Sequence, residues 1–212
     1  YICAGDGSDF IDAGDGDDII YSSVDSLFED SNVDGGPGLN TIIFSTPGES
    51  GCWTNKNINS PVTFDLSSND ANINNIHNIG GGGFDDNLVG DNKSNVLIGA
   101  GGNDFLSGGA GNDYLYGDGV NSDQDGLIYG VRSYLLEDGN DEIYGGHGDD
   151  FIDSGNGDDF VDGGPGNDSI ILGSGNDIIV IGSESGNDFI NDFQDGLDGI
   201  GFDNTIDLNQ LS

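Results

Sequence analysis

From Gly145 to Val180 the chain reads as four consecutive nines, GGHGDDFID, SGNGDDFVD, GGPGNDSII and LGSGNDIIV. Position eight is always a branched apolar residue: Ile152, Val161, Ile170 and Ile179. Position six is always an aspartate, position four a glycine, and the first two positions are mostly small. The same layout recurs upstream. AGDGSDFID and AGDGDDIIY place Ile11 and Ile20 at position eight, and GDNKSNVLI, GAGGNDFLS and GGAGNDYLY place Leu97, Leu106 and Leu115 there. A nine-residue period matches neither helix nor simple strand, so it is the period of a supersecondary unit.

Positions seven to nine predict a short strand. Side chains alternate along a strand, so position eight points inward and its neighbours outward. Positions one to six must then turn the chain, which glycine at one, two and four permits. Two units close one turn of eighteen residues. Turns stacked about 4.8 Å apart, roughly ten of them, predict a rod on the order of 50 Å long. Large residues at position seven, among them Phe10, Phe105, Tyr114, Phe151, Phe160, Ile178 and Phe189, form either an exposed flank or a surface covered by the connecting loops.

The period divides the chain into one continuous solenoid with interruptions. Block one spans 1–43 with a loop inside it, and GGPGLNTII puts Asn40 at position six and Ile42 at position eight. Residues 44–79 leave the period. There SPVTFDLSS alternates as a strand does, and the asparagine density of ANINNIHNI predicts coil and short strand over helix. The insert is expected to form wider turns of the same structure. Block two spans 80–118, an acidic loop 119–135, block three 136–191, and a capping segment 192–212. Tyr1-Ile2-Cys3 matches positions seven to nine of a unit, an expectation that the chain is part of a longer protein.

Charge changes the picture. The 212 residues carry 40 aspartates and glutamates against three basic residues, a net charge of −37. That density opposes compaction. Direct partnership with nucleic acid or anionic membrane is excluded for want of a basic patch, and no apolar run approaches spanning length. A fold with this charge requires bound cations. Cys3 and Cys52 form a disulfide in an oxidising compartment or stay as two thiols.

Position six identifies the cation site. Equivalent aspartates eighteen apart, such as Asp141 and Asp159 or Asp150 and Asp168, fall on adjacent turns of one edge. Like charges so close raise one another's pKa or repel the turns, and a hard cation resolves both. The candidate ligands are Asp9, Asp18, Asp86, Asp104, Asp113, Asp141, Asp150, Asp159, Asp168 and Asp177, with Asn95 as a weaker one and backbone carbonyls from the glycine turns, Gly102, Gly111, Gly148, Gly157, Gly166 and Gly175. Oxygen-only ligation in irregular turns favours Ca²⁺ over Zn²⁺ or Mg²⁺, with roughly five to ten ions expected. Asn40 and Asn95 stand where aspartate is expected, so sites there are weaker or absent.

GGHGDDFID, GGPGNDSII and GGAGNDYLY resemble the RTX (repeats in toxin) family. The resemblance implies an all-β fold, a right-handed parallel β-roll with widened turns and a C-terminal cap, in which an aspartate and turn carbonyls share Ca²⁺ with the next turn. GNDFINDFQDGLDGIGFD resembles the family's capping segment, which implies ligand positions at Asp188 and Asp192. It also implies a bacterial protein exported by type I secretion that folds in extracellular calcium, with calcium, other domains of the parent or neighbouring copies as partners. A surface-layer, matrix or adhesin component, and the C-terminal module of a secreted hydrolase, are the alternatives. Nothing points to catalysis within the chain. HExxH and GxSxG are absent, and any catalytic domain would lie outside. Asn121 to Ile128 resembles the start of an EF-hand loop, but Arg132 stands where the bidentate carboxylate belongs.

Overall fold

The computed structural model describes residues 2–3, 9–22, 32–44, 61–68, 72–119, 139–194 and 196–203. Their secondary structure is strand and turn only. Nineteen short strands, numbered in chain order, form three all-parallel sheets. The longest stacks β1 (Ile2–Cys3), β3 (Ile19–Ser22), β5 (Thr41–Phe44), β8 (Asn78–Gly80), β10 (Val96–Ala100), β12 (Tyr114–Asp118), β14 (Phe151–Asp153), β16 (Ser169–Ile171) and β18 (Phe189–Ile190) in that order. The opposite flank is split. One part stacks β2 (Phe10–Asp12), β4 (Asn32–Asp34) and β7 (Ile73–Asn74). The other stacks β6 (Thr63–Asp65), β9 (Asn87–Val89), β11 (Phe105–Ala110), β13 (Glu142–His147), β15 (Phe160–Asp162), β17 (Ile178–Ile181) and β19 (Gly199–Phe202). The fold is a parallel β-roll, as the period predicts.

Register follows position eight. Leu97 pairs with Leu115, Ile152 with Ile170, and Ile143 with Val161, which pairs with Ile179. These side chains are buried and belong to one continuous core. The sheets face each other across little more than one side chain from each, so each position-eight residue carries a large share of its turn's apolar burial, about 1.5–3 kcal/mol.

The turn length is less regular than eighteen. Equivalent residues lie 18 apart from Asp141 to Asp159, but 22 apart from Asp18 to Asn40 and 37 apart from Asp104 to Asp141. Leu106 nevertheless pairs with Ile143, and Leu115 with Ile152, so the extra residues between Gly119 and Gly139 leave the register intact. The 61–80 stretch does more than widen a turn. Its first strand, β6, joins β9, whereas its second, β7, turns back to join β4, giving that flank one strand more than the long sheet. Phe44 and Phe64 fill the enlarged core there, ring centroids 5.5 Å apart.

Position seven divides. Phe10 and Phe189 are exposed at 72% and 64%. Phe105 and Phe160 are half-buried and stack on the position-nine Tyr144 along the outer face of the split flank. In the middle of the long sheet Val96 at position seven joins the position-nine residues Tyr21, Ile43, Ile98 and Tyr116 in a second buried cluster on its outer face.

Candidate metal centre

Each position-six residue sits on the last turn residue before a strand, at one of two edges of the roll. On the first edge the backbone N–H of Asp86 donates to Asp104 Oδ1 (2.7 Å), Asp104 to Asp141 (2.8 Å), Asp141 to Asp159 (2.9 Å), Asp159 to Asp177 (3.0 Å) and Asp177 to Asp198 (3.2 Å). On the second, Asn95 donates to Asp113 (2.8 Å), Asp113 to Asp150 (2.8 Å), Asp150 to Asp168 (2.9 Å) and Asp168 to Asp188 (3.1 Å). One carboxylate oxygen of each aspartate thus ties two turns together.

The other oxygen is left over. Oδ2 of Asp18, Asp104, Asp113, Asp141, Asp150, Asp159, Asp168 and Asp177 is buried without a hydrogen-bond partner. Ser154, the nearby hydroxyl on the Asp159 turn, donates to Leu172 O instead (2.7 Å). Five of the orphans, on Asp104, Asp113, Asp141, Asp150 and Asp168, face a glycine, whereas Ala13, Ser154 and Leu172 hold position one for Asp18, Asp159 and Asp177. A Cβ on Gly99 would stand 2.2 Å from Asp104 Oδ2, on Gly163 2.3 Å from Asp168 Oδ2, and on Gly145 2.6 Å from Asp150 Oδ2. At position four a Cβ on Gly148 would lie 1.6 Å from Gly111 O, and one on Gly175 1.7 Å from Gly157 O, so carbonyls run in a column along each edge. Among the described residues no three carboxylate, imidazole or thiol side chains converge. A cation here must draw on backbone carbonyls as well as aspartates. Such an all-oxygen set suits Ca²⁺.

The repeat model decides the family. A model described as the RTX calcium-binding nonapeptide repeat (4 copies) matches residues 4–25, 80–115, 137–161, 148–179 and 155–190, together more than half of the chain. The chain belongs to the RTX calcium-binding nonapeptide repeat family. No curated protein matches it. As an RTX roll it is a calcium-binding structural module.

Other expected ligands are placed differently. Asp86 Oδ1 accepts Val62 N–H and its Oδ2 accepts Gly82 N–H, both at 2.7 Å. Asp192 spans Leu172 N–H and Gly173 N–H, both at 2.8 Å, and so closes the end of the long sheet. Asp9 is half-buried before β2. Gly166 stacks over Gly148 O, and a Cβ on it would stand 1.7 Å away. The EF-hand-like stretch 121–132 and Cys52 lie outside the described residues; Cys3 is disulfide-bonded.

Sequence reasoning missed three features of this RTX edge. Asp198 is a further ladder aspartate, two residues before Ile200 just as Asp177 is before Ile179; its Oδ2 accepts Gln194 N–H (2.6 Å). His77 is the position-six residue of β8, two before Ile79. Position five forms an exposed second ladder of opposite sense. There Asn103 N–H donates back to Asp85 Oδ1 (2.8 Å), Asn140 to Asn103 (2.7 Å), Asp158 to Asn140 (2.8 Å) and Asn176 to Asp158 (2.9 Å). The alignment of Asp, Asn and Ser at position five was the available signal.

Burial, reinforced by neighbouring carboxylates, raises the metal-free pKa of Asp104 to about 9, of Asp141 to about 8, and of Asp159 and Asp168 to about 7. The metal-free fold therefore binds more protons than the unfolded chain between about pH 4, the ordinary aspartate value, and about pH 9. Its stability falls as pH rises through that window. In chelator, acidification from pH 9 toward 5 is expected to increase the strand signal in circular dichroism. A signal that falls or stays flat contradicts the assignment of these carboxylates to buried, unpaired sites.

Proposed function

We propose that this chain is a calcium-folded module of a secreted or cell-surface bacterial protein, acting as a stiff structural scaffold that is assembled only outside the cell. The observation that carries this reading is the series of buried, partnerless Oδ2 atoms along both edges. Asp104, Asp141, Asp159 and Asp177 hold the donor positions on one edge, and Asp18, Asp113, Asp150 and Asp168 on the other. Carbonyls of Gly102, Gly111, Gly148, Gly157, Gly166 and Gly175 supply further oxygens. A bound Ca²⁺ supplies the positive charge that these oxygens lack. In a low-calcium cytoplasm the same aspartates repel one another and hold the chain open, which suits export as an unfolded polypeptide.

Calorimetric titration of the chelator-stripped chain tests the reading. Roughly five to ten Ca²⁺ per chain are expected, with Mg²⁺ at equal concentration failing to displace them. Absence of a calcium-specific heat sinks it. The exposed Phe10, Tyr114 and Phe189 favour a second reading, in which calcium-loaded rolls associate side by side; concentration-dependent sedimentation in calcium distinguishes it from a monomeric spacer.

A further inference from the structure

Every position-six Oδ2 without a partner belongs to Asp18 or to residues from Asp104 onward. Between them the edge is built differently. Asn40, fully buried, accepts Asp18 N–H through Oδ1 (3.0 Å) as an aspartate does. Its Nδ2 takes the place of the orphan and donates to Gly36 O (2.9 Å) and Asn75 O (3.0 Å), a carbonyl of its own turn and one of the next. Asn40 N–H in turn donates to His77 Nδ1 (3.4 Å). Asn95, 1% exposed, accepts Asp91 N–H through Oδ1 (2.8 Å) and donates through Nδ2 to His77 O (2.8 Å). Asp86, on the other edge, has both oxygens occupied by N–H donors. Each partner fixes the amide orientation: N–H groups meet the oxygen and carbonyls meet the nitrogen.

We infer that Asn40, His77, Asp86 and Asn95 define a stretch of the roll that closes without ions and serves as the calcium-independent seed on which the calcium-bound turns are built. In the aspartate turns two sets of oxygens face each other and need a cation between them. In this stretch an amide or backbone N–H already stands there, so no like charges oppose the stacking. The packing points the same way. β5 and β10 are apolar on both faces, with Ile42 and Leu97 inward and Ile43, Val96 and Ile98 in the outer cluster, and β8 between them turns Ile79 inward. The Phe44–Phe64 pair enlarges the core beneath them. Apolar burial per turn is therefore greatest where the ion is not needed. A preformed stack also offers a strand edge to the next turn, which removes the unfavourable first step of pairing from calcium-driven folding.

The inference rests on the calcium reading, and hydrogen exchange read by mass spectrometry on the full chain separates the two. In chelator, amides of 33–43 and 78–98 are expected to exchange roughly tenfold or more slowly than those of 141–190, and calcium is expected to slow the latter. Uniformly fast exchange in chelator, rescued everywhere by calcium, overturns the seed and leaves the calcium reading standing. Equal protection throughout in chelator overturns the calcium reading, and the inference with it. The double variant Asn40→Asp, Asn95→Asp gives the second test. Its carboxylates face the carbonyls of Gly36, Asn75 and His77, so protection of 33–43 and 78–98 in chelator is expected to fall roughly tenfold. Unchanged protection in chelator rules out the two amides as the closing groups.

Discussion

Moved from millimolar calcium into excess chelator near neutral pH, the chain is expected to lose most of its β-strand circular dichroism, and to regain it with Ca²⁺ but not with Mg²⁺. The magnitude follows from the edges. A buried polar atom without a partner costs about 1–3 kcal/mol, and more when charged. The eight orphaned position-six oxygens together cost about 8–24 kcal/mol, as much as or more than the roughly 5–15 kcal/mol by which a typical domain is stable. Protonation is the only relief open to the metal-free chain, and near neutral pH it is incomplete, since Asp159 and Asp168 titrate near 7. The core cannot compensate along the regular turns from Leu106 to Ile179, where each strand turns one position-eight side chain inward. Binding free energy thus becomes folding free energy. A spectrum unchanged after exhaustive chelation would show that the orphans are satisfied by the protein itself.

Gly148→Ala is expected to be the most damaging small substitution. The new Cβ would lie 1.6 Å from Gly111 O, and Gly148 has φ +140, in a region that L side chains rarely adopt. Neither backbone can yield, because Gly148 N–H also donates to Pro165 O (3.1 Å) on the following turn. A loss of about 3 kcal/mol or more is expected, seen as a lower melting temperature in calcium and a higher calcium midpoint for folding. Gly16→Ala is the control. Gly16 has φ +120 but, among the described residues, nothing within 4 Å of the added methyl, so the conformational cost is the one expected, about 1–2 kcal/mol. Equal effects of the two substitutions would mean that turn conformation, and not the close stacking of carbonyl on glycine, limits the fold.

Much of this architecture was legible in the repeat. Position eight marks the core from Ile11 to Ile179 because a strand alternates whatever surrounds it, and position six marks the edges because no other phase is so uniformly acidic. What escaped did so for identifiable reasons. Asp198 follows a unit of altered length, so counting by nines passes over it, although its relation to Ile200 is unchanged. His77 is hidden because an imidazole stands where a carboxylate is expected. The return of β7 to β4 depends on a pairing choice between similar short strands, in which Ile73 pairs with Val33, and no local preference distinguishes one partner from another. The exposed ladder at position five was visible as a preference for Asp and Asn but was masked by the stronger signal beside it. Asn40 and Asn95 were visible as substitutions, yet their role appears only when the donors and acceptors around them are counted.

The pairing of Leu106 with Ile143 carries a last consequence. Thirty-seven residues separate Asp104 from Asp141, where eighteen suffice elsewhere, yet the same bond is made at 2.8 Å. The scaffold keeps count of coils, not of residues. A change of chain length between Gly119 and Gly139 is therefore expected to leave the pairing of Leu106 with Ile143 as it is, which makes this junction a place to graft a foreign sequence.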